Sequence, residues 1–183
     1  MRIASGSAKG MELKAPPGRK VRPTTGLARQ GLFSMLETAA CKCASVLDLF
    51  AGSGALGIEA LSRGAAHAVF VDRNRASCDV VKHNLAHTGF KDRAQVLCMP
   101  VTKALDVLKG PFDTVFLDPP YEDPSTSKIL KALAEGRLLE TDALVAVVHG
   151  DRHPLENSYG PLVLLKTRRY GDSHVFIYRR GEQ

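Results

Sequence analysis

Residues 46–57 read Val-Leu-Asp-Leu-Phe-Ala-Gly-Ser-Gly-Ala-Leu-Gly. An apolar run, predicted as a strand over 45–50, enters Gly52-x-Gly54-x-x-Gly57, and a helix is predicted over 55–63. Glycines suit a sharp strand-to-helix turn at which a ligand comes close to the backbone. The helix start offers free N–H groups and positive potential to an anionic part of that ligand. The next apolar run, Ala68–Val71, ends in Asp72, from which a carboxylate accepts both hydroxyls of a ribose. Strand, glycine loop, helix, strand and terminal acid in this order predict a nucleoside-containing cofactor. The expected contacts are Ala51, Gly52, Ser53, Gly54, Gly57, Asp72 and Arg73. Phe50 either lines the same pocket or serves as a core aromatic.

Outward from this unit the alternation continues. Strands are predicted at 68–72, 94–98, 113–117 and 143–148, with helices at 74–87, 101–109 and 125–135 between them. Short connections between alternating strands and helices imply an α/β fold, a doubly wound parallel sheet with helices on both faces. After His149 the pattern changes. Pro161–Thr167 and His174–Tyr178 flank Arg168-Arg169-Tyr170-Gly171-Asp172 and predict a terminal antiparallel hairpin. Ahead of the alternating region, a helix carries Ala28, Leu32, Met35, Leu36 and Ala39 at helical spacing, capped by Thr24 or Thr25. Residues 1–14 predict a small hairpin, Arg2–Ser5 and Met11–Lys14.

The predicted fourth strand runs directly into Asp118-Pro119-Pro120-Tyr121. Two prolines cannot donate to a sheet ladder, so the strand ends there with its carbonyls in fixed directions. An acid and an aromatic flank them. The Asp118 carboxylate and a Pro-Pro carbonyl can accept the two hydrogens of an NH2 group, and Tyr121 can stack on the planar group that bears it. Asp-Pro-Pro also occurs as an ordinary strand-ending turn. In a doubly wound sheet this segment stands beside the glycine loop, where ligands bind at the strands' carboxyl ends.

Two cofactor classes share the glycine geometry. Asp48, four residues before Gly52, would repel a pyrophosphate but can help hold an ammonium group; alternatively it ties the loop's N–H groups together. The Asp-Pro-Pro-Tyr segment then decides for S-adenosylmethionine over a dinucleotide.

The chain has 183 residues, 44% hydrophobic and 24% charged, the composition of an ordinary soluble domain. No apolar stretch approaches a membrane span, and a cytoplasmic protein is expected. Cys41, Cys43, Cys78 and Cys98 lack metal-knuckle spacing and are expected as free thiols. The histidines lack ligand spacing, so no metal is expected. Net charge is +6, and residues 1–30 hold seven basic side chains against Glu12 alone, so the remainder is neutral. A basic arm on a neutral domain is a footprint for a phosphate backbone. Residues 1–23 are therefore expected to be an extension that meets a phosphate backbone, with 24–183 the cofactor-binding domain. The expected contacts are Lys9, Lys14, Arg19, Lys20, Arg22, Thr24 and Arg29, which the resemblance described next implies are RNA contacts.

These residues together resemble a known family, the bacterial 16S ribosomal RNA methyltransferases that modify N2 of the guanine numbered 966. The resemblance runs nearly end to end. It is carried by Arg2-Ile3, Gly6, Lys9-Gly10 and Leu13, by Arg22-Pro23-Thr24-Thr25 with Arg29 and Leu32-Phe33, and by Leu47–Gly54 with Gly57. It extends through Asp118–Tyr121 and Tyr170-Gly171-Asp172. It implies a class I S-adenosylmethionine methyltransferase fold, Rossmann-like, with seven strands and a C-terminal antiparallel hairpin. Asp118, Pro119, Pro120 and Tyr121 would then be the catalytic motif. Small-subunit RNA or an assembling subunit would be the partner, and a monomer is expected. Met99-Pro100-Val101 stands where the family often has an acid for the adenine amino group, which leaves the Val101 backbone or another group to recognise it. An adenine-N6 methyltransferase and a non-catalytic RNA-binding assembly factor remain as alternatives.

Overall fold

The computed structural model describes residues 1–17, 26–120, 123–150 and 154–181. Helix α1 (Gly26–Thr38) precedes β1 (Ser45–Leu49), α2 (Ala55–Ser62), β2 (His67–Asp72), α3 (Arg75–Thr88) and β3 (Ala94–Cys98). There follow α4 (Val101–Val107), β4 (Phe112–Leu117), α5 (Thr126–Glu135), β5 (Leu139–His149), β6 (Ser158–Tyr159), β7 (Leu162–Tyr170) and β8 (Ser173–Arg180).

The strands form one sheet in the order β3-β2-β1-β4-β5-β8-β7-β6. β3 through β5 are parallel neighbours, and β8, β7 and β6 add on antiparallel. The chain reverses direction of winding between β1 and β4, so the crevice at their carboxyl ends is the topological switch point. The expected seven strands become eight because the two-residue β6 pairs with Leu162 and Val163. So short an element leaves no period in the sequence. β5 also starts earlier than expected, at Leu139, with Asp142 in a left-handed conformation (φ 63°) where its register shifts.

Alternate residues of the central strands build the two halves of the core. On one face Val46, Phe70, Phe116, Ala146 and Ile177 pack with Leu32, Leu36, Ile58 and Val81 from α1–α3. On the other, Leu47, Val71, Val115, Val145 and Tyr178 pack with Val101, Ile129, Leu130 and Leu133 from α4 and α5. Every predicted apolar position of α1 is buried. α3 buries Val81, Asn84 and Leu85 and leaves Val80 half-buried, while Ala76 in its first turn is exposed.

The N-terminal hairpin is built as expected around Arg2 opposite Glu12, with Ile3 N–H donating to Met11 O and Leu13 N–H to Met1 O. It is not a detached arm. Ile3, Ala8 and Leu13 are buried in the α1–α3 half of the core. Ala4 N–H donates to Glu59 Oε2 at 2.8 Å and Ala8 N–H to Ser62 Oγ at 3.0 Å. Gly6 (φ 83°) lies so close to the end of α2 that a Cβ would sit 1.8 Å from Ser62 O. The first 17 residues therefore share the domain's core. Leu13→Ala should cost about 2–4 kcal/mol of unfolding free energy in chemical denaturation. An exposed, dispensable hairpin would tolerate that change within a few tenths.

Candidate active site

The backbone after β1 turns through left-handed conformations at Phe50 (φ 62°), Gly52 (φ 58°) and Gly54 (φ 78°). An aromatic residue in that region is costly, and the surroundings must enforce it. Buried polar side chains do so from three sides. Asp72 Oδ2 accepts from Gly52 N–H at 2.9 Å, and its Oδ1 accepts from Asn74 N–H at 2.8 Å. Asp48 Oδ2 accepts from Gly57 N–H at 2.9 Å. Asn84 Nδ2 donates to Ser53 O at 2.9 Å. Gly57 is required for a second reason: a Cβ there would meet the Phe70 ring at 2.3 Å and Asp48 Oδ2 at 3.2 Å.

Of the two roles open to Asp48, tying the loop is the one observed. Its carboxyl is fully buried, which pushes its pKa well above the ordinary value. The Gly57 N–H offsets part of that shift, while the nearby charges of Asp118 and Asp72 add to it. Three carboxylates thus converge at the carboxyl ends of β1, β2 and β4. A cationic ammonium group brought near them would favour the ionised form of Asp48.

Beside the loop lies a cleft lined by Phe50, Asp72, Arg73, Val101, Pro120 and Asp123. It brings together residues from the glycine loop, the end of β2, the start of α4 and the Pro-Pro turn. The donor set fits S-adenosylmethionine: a carboxylate for ribose hydroxyls, an aromatic ring and an apolar side chain for adenine, and, among the described residues, Arg73 as the one cation against Asp72 and Asp123. Val101, at the start of α4, lines the cleft. Ala51 and Ser53 are buried behind the loop, where Ala51 N–H donates to Val71 O. Phe50 serves both readings, lining the cleft and packing against the second core half.

Asp118 is half-buried, Pro119 is buried and Pro120 is half-buried. The Pro120 carbonyl accepts from Asp123 N–H at 2.8 Å, closing the turn after β4. Tyr121, Arg19, Lys20, Arg22 and Thr24 lie outside the described residues. Lys9 and Lys14 are exposed. Arg29 is a correction. It is buried, donates through its guanidinium to Arg2 O and sits against Met1 Sδ, so it fastens the hairpin to α1 rather than facing solvent. Burial lowers its pKa, with Glu59 opposing and Arg63 assisting that shift. Asn84 was not among the predicted site residues; its signal is a polar side chain at helical spacing with the buried Val81 and Leu85 of α3. Its Oδ1 accepts from Lys14 N–H and its Nδ2 donates to Lys14 O, so one buried amide joins the hairpin to the glycine loop. Asp123 was also missed.

The chain matches the family described as "Conserved hypothetical protein 95" over residues 1–179. It belongs to this family. It is 38% identical to "Putative rRNA methyltransferase YlbH" of Bacillus subtilis, over 98% of this chain and 99% of that protein. It is 36% identical to "Ribosomal RNA small subunit methyltransferase D" of Escherichia coli K12, over 80% of this chain and 73% of that one. The solved structure of "Putative methyltransferase yhhF" from Escherichia coli superposes with a TM-score of 0.87 at 34% identity, over 100% of this chain and 99% of that one. The fold is that of the class I S-adenosylmethionine methyltransferases. Among the described residues no helix is long and apolar enough to cross a membrane, and no group of three metal-ligating side chains occurs. The four cysteines are free thiols.

Asp48 has a measurable consequence for stability. In the unfolded chain it ionises near its ordinary value of about 3.9. In the folded protein burial holds the proton to higher pH. The folded state then binds more protons, so stability is greatest below the unfolded value and falls as pH rises toward the folded one. Asp48→Asn keeps an oxygen for Gly57 N–H and has no proton to lose. Between about pH 4 and 7 its unfolding free energy should fall less than that of wild type. Parallel stability profiles for the two proteins would show that Asp48 is ionised in the fold.

Proposed function

We propose that the acceptor for this S-adenosylmethionine-dependent rRNA methyltransferase is the exocyclic N2 amino group of a guanine in 16S ribosomal RNA. The observation that carries the reading is the placement of Asp118-Pro119-Pro120 at the carboxyl end of β4, directly beside the glycine loop after β1. The choice of guanine rests on the resemblance of the Arg22–Thr25 helix signature and the cofactor loop to the guanine-N2 enzymes. On this reading the enzyme acts as a cytoplasmic monomer, and residues 1–23 with the exposed Lys9 and Lys14 contribute to RNA binding.

The amino nitrogen of guanine is a weak nucleophile because its lone pair is delocalised into the ring. Asp118 and the Pro119 carbonyl accept hydrogen bonds from its two N–H groups; the Pro120 carbonyl is already engaged by Asp123 N–H. Accepting both draws the nitrogen toward tetrahedral geometry and frees the lone pair. Tyr121 stacks on the base, which has left any helix it occupied. Asp72 and Val101 hold the nucleoside end of the cofactor, and the loop fixed by Asp48 holds its amino-acid end. S-adenosylmethionine supplies an electrophilic methyl group on a sulfonium. Positioning and pre-placed acceptors account for most of the rate, and no strong base is needed, because the amine becomes acidic only as its new bond forms.

Asp118→Ala should lower methyl transfer by on the order of 100-fold or more while S-adenosylhomocysteine binding, measured by calorimetry, is retained. Near-normal turnover would remove Asp118 from the mechanism. Asp72→Asn keeps an acceptor for Gly52 N–H but loses the charge, and should weaken the same ligand by about 1.5 kcal/mol or more. Unchanged affinity would move the ribose contact elsewhere. The acceptor itself is tested by mass mapping after incubation with unmodified small-subunit RNA. The expected product is N2-methylguanosine. N6-methyladenosine would establish the adenine alternative, and no methylation would favour the assembly factor.

A further inference from the structure

β7 carries charge that the site described above does not use. β8 pairs with it along its whole length, whereas β6 and the residue before it reach no further than Leu164. Beyond that point Lys166, Thr167, Arg168 and Arg169 are exposed on a sheet edge. Lys166, Thr167 and Arg168 form one wall of a groove of about 420 Å3 whose other wall is Ser34, Met35 and Thr38 of α1. Ser34 and Thr38 are exposed. Among the described residues no carboxylate forms an ion pair with Lys166 or Arg168. Arg169 differs, since its Nε donates to Gly171 O at 2.8 Å.

The sheet register fixes where this groove lies. Leu117 stands beside Val147, Val147 beside Phe176, and Phe176 beside Thr167. Arg168 is therefore level with Asp118, three strand spacings away, or roughly 14 Å across the sheet. The groove is on the α1 face, where Phe33 meets Phe116 two residues before Asp118. α1 begins level with this edge: the Tyr170 ring lies over Gly31, and the far end of the helix meets Arg179 through Ala39 O. Gly26 thus continues the basic stretch of the chain at the same end of the sheet as Asp118.

We propose that the groove between α1 and β7 binds the phosphate backbone of the substrate RNA a few nucleotides from the target base, an inference that rests on the RNA-methyltransferase reading. Two cations facing the Ser34 hydroxyl suit phosphate oxygens, the Thr38 hydroxyl being turned back to donate to Ser34 O, and such contacts set register without reading sequence. Lysine and arginine on an edge strand also discourage edge-to-edge pairing. That role needs nothing from α1 and creates no salt-dependent affinity for RNA.

The test uses the full chain and unmodified small-subunit RNA at several salt concentrations, with S-adenosylhomocysteine binding and thermal unfolding as controls. Lys166→Gln with Arg168→Gln should flatten the logarithmic salt slope by roughly 1.4–1.8, since each phosphate contact contributes about 0.7–0.9. Ser34→Glu leaves the edge-strand charges in place and should weaken RNA binding on the order of tenfold at low salt. Both variants should bind S-adenosylhomocysteine as wild type does. Wild-type affinity and slope in both variants would overturn the proposal and leave the cations as an edge guard. Unchanged binding to naked RNA with slower methylation of assembled particles would also overturn it, assigning the groove to a protein of the particle. A wild-type chain that binds neither naked RNA nor the assembled particle would instead overturn the function itself.

Discussion

The turn from β1 into α2 is the constraint on which the rest of the site depends. It places an aromatic residue, Phe50, and two glycines in left-handed conformations within five residues. Such a path is held only if its backbone N–H groups are met by fixed acceptors. Asp72 and Asp48 supply them, both buried, and both at the carboxyl ends of strands adjacent to the turn. A carboxylate buried against backbone N–H groups is costly unless its geometry is satisfied. Here the cost fixes the loop before any ligand arrives, so binding does not have to order it. The same acids crowd this end of the site, which disfavours a pyrophosphate and suits a ligand whose cationic end draws Asp48 into its ionised form.

The N-terminal hairpin is part of this support. Its apolar residues fill the α1–α3 half of the core, and its backbone is tied to α2 through Glu59 and Ser62. Asn84 is the joint. With one buried amide it satisfies Lys14 at both backbone groups and Ser53 at its carbonyl. A displacement of the hairpin therefore reaches the glycine loop through side-chain contacts, Asn84 at Ser53 O and Met1 Sδ at Ser53 Oγ, not through a flexible linker. The basic residues of the hairpin are carried on a frame that the cofactor loop shares.

Much of this was legible in the sequence where the constraint is local. Gly52, Gly54 and Gly57 announce a backbone path that other residues resist, and Pro119-Pro120 announce a strand end. Period-two and period-3.6 patterns gave the order of β1 to β5 with their intervening helices. Where a residue's role depends on a distant partner, the sequence was mute. Arg29 carries the same signal as Arg19 or Arg22, a cation in a basic stretch. Only the fold reveals that Arg2 O and Met1 Sδ, from the opposite end of the hairpin, close around it. Asp48 could address a ligand or the backbone, and only the position of Gly57 N–H decided. β6 is too short to leave any pattern.

The sheet order turns three separate stretches of chain into one working edge. β1 and β4 are adjacent although α2, β2, α3, β3 and α4 lie between them in sequence, so the glycine loop and the Pro-Pro turn become neighbours. β5 and β8 then extend the same edge outward, and the antiparallel return of β7 brings Arg168 back level with Asp118. A purely parallel continuation would need another crossover helix, which would cover the α1 face or the opposite one. The hairpin avoids that. It leaves the edge strand open beside α1, where Lys166 and Arg168 meet no carboxylate among the described residues, a surface that a polyanion can reach. On the proposed reading, the antiparallel ending is what gives a fold built to hold a small cofactor room to meet a large substrate.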